Sequence, residues 1–208
     1  MKSLKILLLM VVVSMSSQIK AQSRIVDTTT VGNFFYSALV SYITGDTSYA
    51  AIIHCNSYAN GFGNTPCTIT IVQVKKDVTM FFSSGEMPEK YGSFYFDKDC
   101  GFWDETLKTC HYYLAYKFDG EKIRNVTPSY IKEDDYTCKT SSLMFNPTPF
   151  SSVPKMVKEI LKHKNVIFYF NAKTEDDPVS KQRVYKFLLT DNKGQGLILP
   201  LKDAFKKK

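Results

Sequence analysis

The chain has 208 residues, with 27 Lys and Arg against 20 Asp and Glu, five Cys, 44% hydrophobic and 14% aromatic side chains. This excludes a disordered chain, which would carry fewer aromatics and more charge. No Gly-x-y period or sustained heptad marks collagen or a coiled coil, and the length suits one domain.

Lys2 and Lys5 precede an unbroken apolar run from Ile6 to Val13, a polar stretch from Ser14 to Gln18 and a small residue at Ala21. This is the three-part build of a secretory signal peptide, expected over residues 1–21. The run is too short to cross a bilayer as a helix, which takes about 20 apolar residues. No Cys near Ala21 supports a bacterial lipid anchor, and no second long apolar stretch follows. The expectation is an exported chain in the bacterial periplasm or outside the cell, with no transmembrane segment after cleavage. Loss of Lys2, Lys5 and Lys20 lowers the formal charge from +7 to +4, and much of the rest is the Lys206-Lys207-Lys208 tail. The other basic residues alternate with acidic ones, as on a solvated surface, so no nucleic-acid partner is expected.

Residues 22–208 read as one β-rich domain. Phe34 to Ile43 and Tyr49 to Cys55 flank Thr44-Gly45-Asp46-Thr47 as a hairpin. Thr68 to Val74 is rich in β-branched residues and turns at Lys75-Lys76-Asp77 into Val78 to Phe82. Gly92 to Phe96 is a further strand. His111 to Phe118 alternates, placing Tyr112, Leu114, Tyr116 and Phe118 on one face. Asp119-Gly120 then predicts a type I′ hairpin, with Lys122 to Val126 returning. Residues 127–150 read as a long internal connection.

One amphipathic helix is expected at about 152–164, because Val153, Met156, Val157, Ile160 and Leu161 form one stripe. Ser151 or Ser152 caps its start, Pro154 fits the first turn, and Lys162, His163 and Lys164 suit its negative end. Asn165 is expected to leave it in αL. Val166 to Asn171 reads as a buried strand, Val184 to Leu189 as the next, and Leu197 to Leu199 as the last before a short closing helix. Many short strands with one helix predict a mainly β fold, an antiparallel sandwich or open barrel.

Export favours disulfides over metal sites. Cys55 and Cys67 enclose residues 56–66, and Cys100 and Cys110 enclose residues 101–109. Each pair would staple a surface loop and stabilise by about 2–3 kcal/mol. The sequence leaves the connectivity open. Cys138 remains as a free thiol, a homodimer link or the partner of one of the other four. A zinc site from His54-Cys55 and Cys110-His111 lacks a close C-x-x-C pair. Nothing around Cys138 marks an activated thiolate paired with a His.

No G-x-S-x-G elbow, H-E-x-x-H, P-loop or dinucleotide fingerprint occurs. No cofactor, metal or catalytic residue is therefore assigned. The acidic runs Glu133-Asp134-Asp135 and Asp176-Asp177 lack the alternating spacing of an EF-hand. Asp97, Asp99, Asp104 and Glu105 are loop carboxylates that a hydrolase would need, though nothing singles out one pair. The unusual feature is 13 Tyr and 15 Phe. Many of these rings, from Tyr91 to Tyr116, surround the Cys100 to Cys110 segment. They fit sheet core and cross-strand pairs, or an exposed platform for a glycan or protein partner with Trp103, Phe102 and Tyr112 as its binding residues.

The second half carries, in order, Tyr116-Lys117-Phe118-Asp119-Gly120, Leu143-Met144-Phe145 and a helix with Ile160-Leu161-Lys162. Then come the strand Val166 to Phe170, Phe187-Leu188-Leu189 and Gly196-Leu197. This succession resembles small exported bacterial β-domain proteins of the invasion-associated-locus-B kind and the type-VI-secretion-associated periplasmic family. It covers roughly Tyr116 to Phe205; the Cys100 to Cys110 segment and residues 127–150 depart from it. The resemblance implies a non-catalytic envelope protein and carries no site residues. The sequence thus points to an exported binding module of unknown ligand. A secreted hydrolase directed at glycans or peptides and a structural envelope component, in one form a Cys138-linked homodimer, are the alternatives.

Overall fold

The computed structural model describes residues 23–55, 57–59, 67–84, 94–96, 98–107, 109–131, 140, 142–145, 153–174 and 179–207. In chain order the strands are β1 (Ser23–Val31), β2 (Phe34–Ser41), β3 (Thr47–His54), β4 (Ser57–Ala59), β5 (Cys67–Val74), β6 (Asp77–Ser84) and β7 (Phe94–Tyr95). They continue with β8 (Gly101–Asp104), β9 (Thr109–Tyr112), β10 (Leu114–Phe118), β11 (Arg124–Val126), β12 (Ser129–Ile131) and β13 (Ser142–Phe145). After helix α1 (Lys155–Ile160) come β14 (Asn165–Thr174) and β15 (Lys181–Leu188). Two 3-10 segments occupy Lys98–Cys100 and Leu201–Lys207.

The strands form two antiparallel sheets. One has nine strands in the order β1-β2-β3-β5-β6-β13-β12-β9-β8. The other runs β11-β10-β14-β15-β4, with β7 pairing β14 beside that path. Neither order closes on itself, so the fold is sandwich-like, with no closed barrel among the described strands. The period-2 alternation of β2, β5 and β6 turns Phe34, Tyr36, Ile69, Ile71, Met80 and Phe82 inward, all buried. Phe82 meets the second sheet at Phe168, Phe170 and Phe187, with ring centroids 4.9, 5.1 and 6.1 Å away. Each fully buried ring of this kind contributes about 1.5–3 kcal/mol.

The C-terminal segment is tied to the first strands. Tyr36 Oη accepts the Ile198 N–H at 2.9 Å, and Gln73 Oε1 accepts that of Leu201 at 2.7 Å. Burial pushes the Tyr36 hydroxyl up to about 12 despite the Ile198 hydrogen bond. Among the described residues no helix is long and apolar enough to cross a membrane.

Several expectations change. The single strand His111 to Phe118 is two strands. β9 lies in the large sheet, β10 in the small one, and Tyr113 alone joins them. The inward alternation survives this switch, with Tyr112, Leu114, Tyr116 and Phe118 all buried. The Asp119-Gly120 hairpin is not a two-residue type I′ turn. Of the two, only Gly120 has positive φ, at +65°, and Tyr116 pairs with Arg124 across a longer loop.

Residues 127–150 are not merely a connection, since β12 and β13 bridge β9 to β6. Leu197 to Leu199 forms no strand, while β1 and β4 were not expected at all. The helix is shorter than 152–164. It starts after Pro154, without a side-chain cap. Asp119 intercepts the chain beyond its end. One carboxylate oxygen accepts the N–H groups of Lys164 and Asn165 at 2.6 and 3.1 Å, and Asn165 Nδ2 donates to the other at 2.6 Å. Asn165, expected in αL, is instead the first residue of β14. Ser151 and Ser152 lie outside the described residues.

Candidate functional site

Among the described residues β8 ends the nine-stranded sheet, paired there with β9. Their register sets Gly101 opposite Tyr112, Phe102 opposite His111 and Trp103 opposite Cys110. Alternation then sends Trp103, Cys110 and Tyr112 to the core side and Phe102 and His111 to the solvent side. The strands approach so closely that a Cβ on Gly101 would lie 1.9 Å from the His111 carbonyl oxygen, which only glycine avoids.

The outward residues form a strip of rings. Phe102, 43% exposed, stacks on His111 with centroids 5.2 Å apart and planes at 25°. Tyr113, 60% exposed, continues the strip 5.9 Å from Phe102. Its N–H donates to the Cys100 carbonyl at 3.0 Å, so the residue between the sheets is held in place. His111 Nε2 stands 4.0 Å from Asp104 Oδ2. The other oxygen of Asp104 accepts the N–H groups of Thr106 and Leu107, each at 2.9 Å, which fixes the turn into β9. Exposed rings of this kind offer apolar faces, and the imidazole and carboxylate beside them offer polar contacts.

The three predicted binding residues therefore separate. Phe102 is on the surface. Trp103 is half-buried and packs against the core. Tyr112 is fully buried, its ring 5.5 Å from Phe96, so it presents no face to a partner. His111 and Tyr113 belong to the strip and were not singled out. For Tyr113 a signal existed, because the odd position in a 112, 114, 116, 118 alternation points outward. The same alternation turns His111 outward, while its place opposite Phe102 comes from the β8–β9 register, which no local pattern encodes.

The loop staples need correction. Cys55, Cys67 and Cys100 are not in disulfides, while Cys110 is disulfide-bonded, so neither Cys55–Cys67 nor Cys100–Cys110 is closed. For the second pair the register is the reason. Trp103 sits opposite Cys110, while Cys100 faces Tyr113, about 10 Å further along the ladder. A disulfide needs Cα atoms within about 7 Å. Cys55 and Cys67 are neighbours, with the Cys55 N–H donating to the Cys67 carbonyl at 2.9 Å. Burial pushes both thiols up, and the adjacent Cys55 raises Cys67 further. Cys138 lies outside the described residues, as do Asp97, Glu133, Asp134, Asp135, Asp176 and Asp177.

Of the remaining loop carboxylates, Asp99 pairs with Lys173 Nζ and Glu105 is exposed. The His54-Cys55 and Cys110-His111 residues form no metal-ligand group. Among the described residues the one set of His and acidic side chains close enough to share a cation is Glu121, Glu159 and His163. Compared with family models, curated proteins and solved structures, the chain matches none of them.

Proposed function

We propose that this chain is an exported, non-catalytic β-sandwich that binds a glycan or protein partner through the aromatic strip at the β8 end of its large sheet. The observation that carries this reading is the solvent-facing run Phe102, His111 and Tyr113 on strands whose other faces are packed. Large amphipathic rings concentrate binding energy when a partner covers them. The signal-peptide pattern of residues 1–21 and the resemblance of Tyr116 to Phe205 to exported β-domain proteins support an envelope or extracellular setting.

The test is capture on immobilised glycans and on envelope extract, comparing wild type with Phe102→Ala and Tyr113→Ala. Each truncation is expected to weaken capture by about tenfold, the worth of roughly 1.4 kcal/mol at a contact ring. Undiminished capture by the double variant would remove the strip as the binding surface.

A further inference from the structure

On the small sheet, away from the aromatic strip, the β10–β11 hairpin meets the exit of α1. There His163 Nε2 lies 3.5 Å from Glu121 Oε1 and 3.6 Å from Glu159 Oε2. Three elements bring these atoms together. Glu121 follows the Asp119-Gly120 turn, Glu159 is in the last turn of α1, and His163 stands four residues further on. The imidazole plane is set by stacking on Phe118, with centroids 4.4 Å apart and planes at 18°. Asp119 ties the hairpin to Lys164 and Asn165, directly beyond His163, and so fixes the gap between the two sides.

The other oxygen of each carboxylate is in an ion pair. Arg124 Nη2 holds Glu121 Oε2 at 2.8 Å, and Lys162 Nζ holds Glu159 Oε1 at 3.4 Å. Each cation thereby turns the remaining oxygen toward the imidazole, the way outer-shell partners orient metal ligands. Arg124 Nη1 also forms a longer ion pair, at 3.9 Å, with the inward Glu159 Oε2. The inward set is one imidazole nitrogen and two carboxylate oxygens, all within 4.8 Å of one another. In a tetrahedral site with bonds of about 2.1 Å, neighbouring ligand atoms are about 3.4 Å apart. The two His163 distances are close to that edge.

We propose that Glu121, Glu159 and His163 bind one zinc-class divalent cation, with water completing four-coordination. The nitrogen and oxygen donors suit zinc, and three-ligand sites retain a water as the fourth ligand. The cation would join the β10–β11 hairpin to α1, a role separate from the aromatic strip.

The experiment is calorimetric titration of the full chain with zinc chloride at neutral pH, after blocking accessible thiols with N-ethylmaleimide. One equivalent is expected to bind, at least tenfold more weakly in His163→Ala and in the near-isosteric Glu159→Gln, with unchanged far-UV circular dichroism. Glu105→Gln, in a distant loop, should bind as wild type does. Cobalt substituted for zinc should give a four-coordinate visible spectrum without a thiolate charge-transfer band. No binding by wild type, equal binding by all variants, or a thiolate band would each overturn the assignment.

Discussion

Phe82 and Phe102 are the same residue type at two ends of one sheet's circumstances. Phe82 lies on β6, flanked on both sides by β5 and β13, and its ring meets three phenylalanines of the facing sheet. Phe102 lies on β8, paired on one side among the described strands, and its ring meets His111 and Tyr113 outside the core. The difference teaches that an aromatic surplus is not in itself a sign of binding. Among the described residues, rings such as Phe34, Phe96, Phe118 and Phe168 are buried in the core. What distinguishes the strip is its place on the outer face at a sheet end.

The contrast breaks most sharply at Phe82. Phe82→Ala should destabilise by about 3–5 kcal/mol, read as a fall in the urea midpoint, because a cavity opens between the sheets. A loss under 1 kcal/mol would mean that the layers are not packed as described. Gly101→Ala comes next. The added methyl would meet backbone atoms of His111 and Tyr112, so β8 must shift, at a cost of about 1–3 kcal/mol. Hydrogen exchange should accelerate at β8 and β9 and stay unchanged at β2 and β3.

Asp119→Asn tests a tie that is polar and not aromatic. Partial burial raises the Asp119 carboxyl. The Asn165 side chain, the Lys164 and Asn165 N–H groups and the nearby His163 outweigh this and hold it below its ordinary value of 3.8. The ionised form therefore stabilises the fold above the unfolded pKa, and that contribution disappears as pH falls through the lowered folded value. The wild-type advantage over Asp119→Asn should be about 1 kcal/mol at pH 7, small because the group is exposed and screened. It should vanish in denaturant curves near pH 2; a constant gap would refute the charge as its source. The smallest effect belongs to Phe102→Ala, expected within about 0.5 kcal/mol of wild type in stability, so that any loss of capture is a binding effect.

Much of the fold was legible because alternation is a local signal. β2, β3, β5, β6, β14 and β15 follow apolar or β-branched runs, and the inward set from Tyr112 to Phe118 followed from period two alone. Partnership was not legible. Nothing near Tyr113 announces that the next strand joins another sheet, since both halves show the same face to the same core. β1 was missed because Ser23-Arg24 and Asp27 to Thr30 give little apolar signal at a sheet end that need not be covered. The expected staple at Cys100 and Cys110 failed because sequence spacing does not fix register. His163 read as a helix-end cation. Its neighbour Glu121 comes from a hairpin 42 positions earlier in the numbering, a proximity that only tertiary folding creates.

The joint at Tyr113 has a mechanical consequence. Its amide is fastened to Cys100 and that of Tyr112 to Pro128, so the link between the two layers has almost no slack. A force applied at Phe102 and Tyr113 would pass straight into β10 and on to β14, the central rib of the opposite layer. Load taken up at this sheet end is thus shared by both sheets.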